Sequence, residues 1–256
     1  MKLLEYKFQD DCPPRAFSTL RQGGVGEGNY GCFNITHYCG DSAENVAANR
    51  KLLCAELGID NAHLVLPRQT HSVVVEVVTP DNLSAPLEGV DAVITNVEGV
   101  CIGVSTADCI PLLYFDPIQS VIAAVHAGWR GTVMGIAKKA LQAMMEQFGT
   151  HPENVQVVVG PGISKTSFEV GEEVVEAFRN AGFAMECIHS MNAITGKSHL
   201  DLCEANVALL EAAGVKRENV QQSGICTYQS HETFFSARRL GINSGRIFTG
   251  IMLLMS

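Results

Sequence analysis

Segments rich in β-branched and apolar residues recur along the chain at residues 64–66, 72–78, 90–95, 100–105, 111–115, 121–125, 155–159, 220–226 and 246–254, and each reads as a strand. Helical patterns fall mainly between them. The clearest covers residues 132–148, where Val133, Ile136, Ala137, Ala140, Leu141, Met144 and Met145 recur at intervals of three and four and Gly149 follows as a stop. Residues 172–180 and 202–213 repeat the pattern and are closed by Gly182 and Gly214. Several strands come consecutively between residues 64 and 126 before a helix arrives. That order predicts an α+β fold, with mixed β-sheets flanked by helices in a layered single domain over residues 1–256. A parallel doubly wound sheet is the alternative. No repeat, low-complexity tract or Pro/Ser-rich linker marks a boundary.

Composition narrows the class of protein. A chain of 256 residues buries roughly 75% of its unfolded surface and needs no staples to fold. Apolar residues make up 46% and charged ones 18%, which excludes disorder. A net charge of −9 predicts repulsion from nucleic acid and from anionic membrane surfaces, and no basic run reverses it. The first segment, "MKLLEYKFQDDCPPRAF", is broken by charges and is not expected to act as the apolar core of a signal peptide, and no stretch of about 18 apolar residues occurs. A cytoplasmic location is expected. The nine cysteines contain no C-x-x-C pair, so most are expected to be small core residues.

Three residues at predicted strand ends carry the candidate chemistry. His71 opens "THSVVVEVV", Cys109 lies in "GVSTADCIPLLYFDP", and His126 closes "VIAAV". Side chains at the ends of neighbouring strands converge where loops admit a substrate. Imidazole and thiolate are preferred zinc ligands, and three protein ligands plus a water is the pattern of a catalytic site, in which the water's pKa drops toward about 7. The separations, 38 and 17 residues, are not diagnostic by themselves. Two other readings stay open at this point: Cys109 as a nucleophile with His126 as its base and no metal, or a structural zinc completed by Cys226 or His231. Asp108 and Gln69 are polar neighbours suited to orienting ligands or holding a catalytic proton. Gly128 and Gly131 allow a sharp turn after the strand, Trp129 offers a stacking plane and Arg130 a fork for an anion. "GEGNYG" satisfies G-x-G-x-x-G but lacks the strand before it and the helix after it, so it reads as a loop, and the Gly160–Gly162 stretch of "VVVGPGIS" reads as a turn.

The motifs "RQTHSVVV", "TADCIPLLYFDP", "AAVHAGWRGTV", "VVVGPGIS" with "FEVGEEV", "LDLCEAN", and "FFSARRLG" with "SGRIF" resemble, in order and approximate spacing, those of the laccase-domain family. That family is described both as multicopper polyphenol oxidase and as purine nucleoside phosphorylase. The resemblance also takes in "FSTLRQGGVGEGNYGCFNITHYCGD" and "NRKLL". It implies a zinc centre of His71, Cys109 and His126, a mixed α/β layered fold, and phosphorolysis of adenosine, inosine and methylthioadenosine, with adenosine deamination as a further reaction. Copper in the same site, with polyphenol oxidation, is the older description. Eight histidines and no H-x-H pair leave few ligands for a blue-copper site together with a trinuclear cluster. Ala237 stands where the family usually has an aromatic, and Phe168 where it has tyrosine. Phosphorolysis needs arginines to hold phosphate. Arg50, Arg68, Arg130, Arg238 and Arg239 are candidates, and Arg50 and Arg130 are favoured because they lie inside family-like motifs; Asp108 is the candidate proton shuttle. The implied partners are a purine nucleoside and phosphate.

Overall fold

The computed structural model describes residues 2–255. In chain order the strands are β1 (Leu3–Tyr6), β2 (Arg15–Thr19), β3 (Leu64–Val65), β4 (Val74–Val77), β5 (Val90–Thr95), β6 (Cys101–Thr106) and β7 (Ile110–Asp116). They continue with β8 (Val121–Ala127), β9 (Gln156–Val159), β10 (Glu169–Val170), β11 (His189–Met191), β12 (Ser198–Leu200), β13 (Val220–Gln222) and β14 (Ile247–Met252). The helices are α1 (Ala43–Leu57), α2 (Trp129–Val133), α3 (Ile136–Phe148), α4 (Glu172–Asn180), α5 (Met185–Ile188), α6 (Leu202–Ala212) and α7 (Ala237–Leu240).

A six-stranded sheet runs β13-β9-β7-β8-β5-β4, a five-stranded sheet runs β1-β2-β14-β6-β3, and β10-β12-β11 form a small third sheet. Pairing is mixed: β7 is antiparallel to β8 and β9, whereas β4 is parallel to β5 and β13 to β9. The fold is therefore α+β, and the doubly wound alternative does not occur.

The two large sheets pack face to face, and strand alternation sorts their side chains. On β8, Ile122 and Ala124 point into the core between the sheets, while Val121, Ala123 and Val125 join the core beneath α3 and α6. Both faces are covered, so the strand reads as one continuous apolar run. Each large aliphatic side chain buried this way contributes roughly 1.5–3 kcal/mol. On the outer face of the five-stranded sheet, Phe17 and Phe248 meet Leu53 and Leu57 of α1. The layers are thus α1, the five-stranded sheet, the six-stranded sheet, and α3 with α6.

Two departures from the sequence pattern have clear causes. The helix expected over residues 132–148 is broken at Gly135, whose φ of 77° is left-handed, so α2 and α3 are separate elements. The strand expected over residues 220–226 ends at Gln222, and Gly224 follows with φ 67°.

Candidate metal centre

The centre forms where β5, β7 and β8 meet the loop before β4. The period of two that places Ile122 and Ala124 between the sheets also places His126 there, at the buried end of β8 with 4% exposure. Register pairs Ala92 of β5 with Val125 of β8, so Asp91 and His126 stand side by side one step further on. His126 Nδ1 donates to Asp91 Oδ1 at 2.7 Å, which leaves Nε2 as the free ligand atom. Cys109 lies just before β7, whose Ile110 pairs with Ala127.

Asp91 also builds the His71 turn. Its carboxylate accepts the backbone N–H groups of Thr70, His71 and Ser72 at 3.0, 3.0 and 2.8 Å. Three successive amides converging on one buried anion form a nest. His71 itself has φ 62°, and Asp108, before Cys109, has φ 91°. Left-handed backbone at non-glycine residues costs about 1–3 kcal/mol each and persists where surrounding bonds over-determine it. Burial opposes the charge on Asp91, but the bonds from His126 and the amides outweigh it and hold its pKa below the usual carboxylate range.

The ligand atoms of His71, Cys109 and His126 all lie within 4.8 Å of one another. Cys109 Sγ is 3.7 Å from His71 Nε2, and the two imidazole rings meet edge to face at 4.9 Å. Sulfur at ~2.3 Å and nitrogen at ~2.0–2.1 Å from a tetrahedral zinc ion stand about 3.6 Å apart, so the spacing suits the ion. Burial resists ionisation of the Cys109 thiol, yet the two imidazoles outweigh it and bring its pKa to about 6. Burial likewise resists charge on His126, while the Cys109 thiolate and Asp91 raise it to about 9. The pair is poised as thiolate and imidazolium, the form from which a cation displaces one proton. Gly128 makes the approach possible: a Cβ there would lie 2.7 Å from His71 Cδ2 and 3.1 Å from Cys109 Sγ. Among the described residues no fourth His, Cys, Asp or Glu joins the group.

The centre opens into a cleft of about 570 Å³, a size suited to a small-molecule ligand. Ala107, Ala237 and Ile242 give its wall an apolar side, and Tyr38, Gln69 and Arg246 a polar one. Gln69 clamps Ser105 through two backbone bonds of 2.8 Å.

The other expected residues stand elsewhere. Asp108 commits its carboxylate to Thr227 Oγ1 and the Arg238 amide, both at 2.7 Å, so it ties the residue 227–238 segment down beside the cleft. Arg50 bonds Asn61 Oδ1 and the Leu64 carbonyl and lines a different cleft with His37. Arg130 is exposed and stacks on Trp129 at 4.2 Å. Arg68 pairs with Glu88, Arg238 lies over Phe168 and Arg239 over Tyr228. Neither of the candidate fourth ligands reaches the group: Cys226 accepts bonds from Ser164, and the His231 carbonyl accepts from Arg21. Sequence reasoning missed Asp91 and Arg246, and read Gly128 as part of a turn without its close approach to His71 and Cys109. The signal for Asp91 was present as an acid inside the apolar strand "VDAVIT".

Residues 15–254 match the family described as multi-copper polyphenol oxidoreductase laccase. A purine nucleoside phosphorylase of Bacteroides thetaiotaomicron is 49% identical over 244 residues, covering 93% of this chain and 90% of the relative. Adenosine deaminase RL5, from an unknown prokaryotic organism, is 47% identical over 243 residues, covering 92% of each chain. Among solved structures, the Bacillus licheniformis hypothetical protein YfiH superposes with a TM-score of 0.89 at 28% identity, over 94% of this chain and 92% of that one.

Proposed function

The chain belongs to the family described as multi-copper polyphenol oxidoreductase laccase, and within it we propose a zinc-dependent purine nucleoside phosphorylase acting on adenosine, inosine and methylthioadenosine, with adenosine deamination as a side activity. Relatives at 49% and 47% identity named for these two reactions support an enzyme acting on purines. The observation that carries the reading is the imidazole, thiolate and imidazole group, open on one side to a cleft of about 570 Å³.

In phosphorolysis a phosphate oxygen forms a bond to the anomeric carbon while the bond from that carbon to the purine nitrogen breaks, and the base leaves with the electron pair and takes up a proton. In deamination water replaces the exocyclic amino group of adenine, which leaves as ammonia. His71, Cys109 and His126 would hold a zinc ion, which would supply a Lewis acid. The chain's own work is positioning. Asp91 keeps the proton on His126 Nδ1 and fixes its ring. Ala107, Ala237 and Ile242 offer an apolar wall to a purine ring. His71, on the exposed side, borders the opening.

One three-ligand group among the described residues does not supply the several ligand sets of a multicopper oxidase. A single copper in the same site is the metal alternative. The metal-free cysteine hydrolase has one observation in its favour: Asp91, His126 and Cys109 stand in the order of an orienting acid, a base and a nucleophile. Against it, a second imidazole lies 3.7 Å from the thiol, where a nucleophile needs no partner. No helix among the described residues is long and apolar enough to cross a membrane.

The test is base release from inosine and adenosine with and without phosphate, using protein of measured metal content and a Cys109→Ala control. Phosphate-dependent release of hypoxanthine that disappears in the control is the expected result. No release from zinc-loaded protein overturns the reading.

A further inference from the structure

We propose that Arg246 is the phosphate subsite of this cleft. The inference rests on the phosphorylase reading for the identity of the anion, and on geometry for its place. Among the described residues, Arg246 is the one arginine or lysine lining the cleft that His71, Cys109 and His126 open into, and no aspartate or glutamate lines it.

Topology brings the residue there. Ile247 of β14 pairs with Thr106 of β6, so the two residues just beyond that last pair, Arg246 and Ala107, sit together at the strand ends, and both face the cleft. Ala107 is two residues from Cys109. Arg246 is thereby held close to the centre, one residue before a strand paired with β6.

Its charge is uncompensated. Arg15, Arg68, Arg179 and Arg217 have carboxylate partners, and Arg246 has none among the described residues. Instead, Nη1 donates to the carbonyls of Ser244 and Gly245 and to Ser244 Oγ, and Nη2 donates to the Ile242 carbonyl. These bonds fix the guanidinium plane and leave Nε–H and one Nη2 proton of its five donors without an acceptor. A pre-oriented, half-buried guanidinium with free donors and no counter-ion is suited to a tetrahedral oxyanion, which it grips by charge-assisted hydrogen bonds. Arg50 and Arg130, the candidates suggested by motif, do not line this cleft.

A phosphate group can arrive as the free ion or as part of a nucleotide. Equilibrium dialysis of zinc-loaded protein against radiolabelled inorganic phosphate, with a parallel arm using inosine 5′-phosphate, separates the two. In Arg246→Ala the affinity for inorganic phosphate is expected to fall by about tenfold or more, and the phosphate KM of inosine phosphorolysis to rise in step while the inosine KM moves less. Because the arginine also anchors residues 242–245, Arg246→Lys is measured beside it: it keeps the charge without the fork and is expected to fall between wild type and Arg246→Ala. Wild-type phosphate affinity in Arg246→Ala, or a loss confined to Arg50→Ala, overturns the proposal. So does Arg246-dependent binding of the nucleotide with none of inorganic phosphate. If phosphate binds through Arg246 but no base is released, the subsite stands and the phosphorylase reading falls.

Discussion

Asp91→Asn isolates the residue on which the centre is built. The carboxylate accepts from His71 N and His126 Nδ1 on one oxygen and from Thr70 N and Ser72 N on the other. An amide must turn its NH2 toward one of these pairs. Facing Thr70 and Ser72, it sets a donor against two donors. Facing His126, it donates to Nδ1 only if the imidazole shifts its proton to Nε2, and then Nε2 no longer binds metal. Either orientation sets the amide NH2 against at least one backbone N–H and forfeits at least one hydrogen bond to a charged group, worth ~1.5–3 kcal/mol, so the metal-free protein is expected to lose at least about 1.5 kcal/mol of stability. Zinc affinity should fall about 10–100-fold, the usual effect of removing a carboxylate that orients a ligand histidine. The assays are competition for zinc with a chromophoric chelator and denaturant unfolding of metal-free protein. Folding depresses the Asp91 pKa, so its stabilisation is complete above the unfolded value of about 3.9 and is lost as pH falls through the lower folded value; the variant lacks this acid-labile part. Zinc affinity within twofold of wild type would refute the argument.

In metal-free protein, alkylation of Cys109 by iodoacetamide should reach half its maximal rate near pH 6, against about 8.5 for a free thiol, because the thiolate is the reacting form and its pKa is lowered. Zinc should suppress that reaction at neutral pH, and equal rates with and without zinc would favour the hydrolase reading. Gly128→Ala sets a Cβ 2.7 Å from His71 Cδ2; since His71 is exposed and free to yield, zinc affinity should fall at least about tenfold while the unfolding midpoint of metal-free protein changes little. Asp108→Ala removes the acceptor of Thr227 and the Arg238 amide, so hydrogen exchange over residues 227–238 should accelerate and nucleoside KM should rise while zinc affinity changes less.

The parts legible in sequence were those with a local signature. Strands β5 to β8 were visible because both of their faces are buried, which removes the polar alternation and leaves dense apolar runs. His71, Cys109 and His126 stood out because a ligand-type residue ended or adjoined each run. The helix α1 was not seen: its buried face includes Asn49, which bonds the Cys32 and Asn34 carbonyls, and a polar residue in the stripe blurs the 3.6-residue period. Asp91 was hidden because its partners are distant in sequence: Thr70, His71 and Ser72 lie 19–21 residues before it, and His126, 35 residues after it, becomes a neighbour only through the β5–β8 register. Arg246 was hidden in the same way, since β14 lies beside β6 from the opposite end of the chain. Motif position favoured Arg50, but the structure lines a separate cleft with it.

The three ligands do not have equal freedom, and the difference bears on how the centre loads. His126 is buried, lies on a strand paired on both sides, and has its ring fixed by Asp91. Cys109 is pinned at the start of β7, between Ile110 and an Asp108 whose own backbone carbonyl accepts from Ile163. His71 is exposed, on a left-handed turn held by amide bonds to Asp91. An ion arriving from the cleft therefore meets a preformed thiolate and an imidazolium that yields its proton, and closure depends on the one ligand that can move. Asp91 joins the two halves, since the carboxylate that orients His126 is also the anchor of the His71 turn. Loss of that single acid should loosen the exposed ligand and misdirect the buried one together, so Asp91→Asn combined with His71→Ala should cost less zinc affinity than the sum of the two single losses.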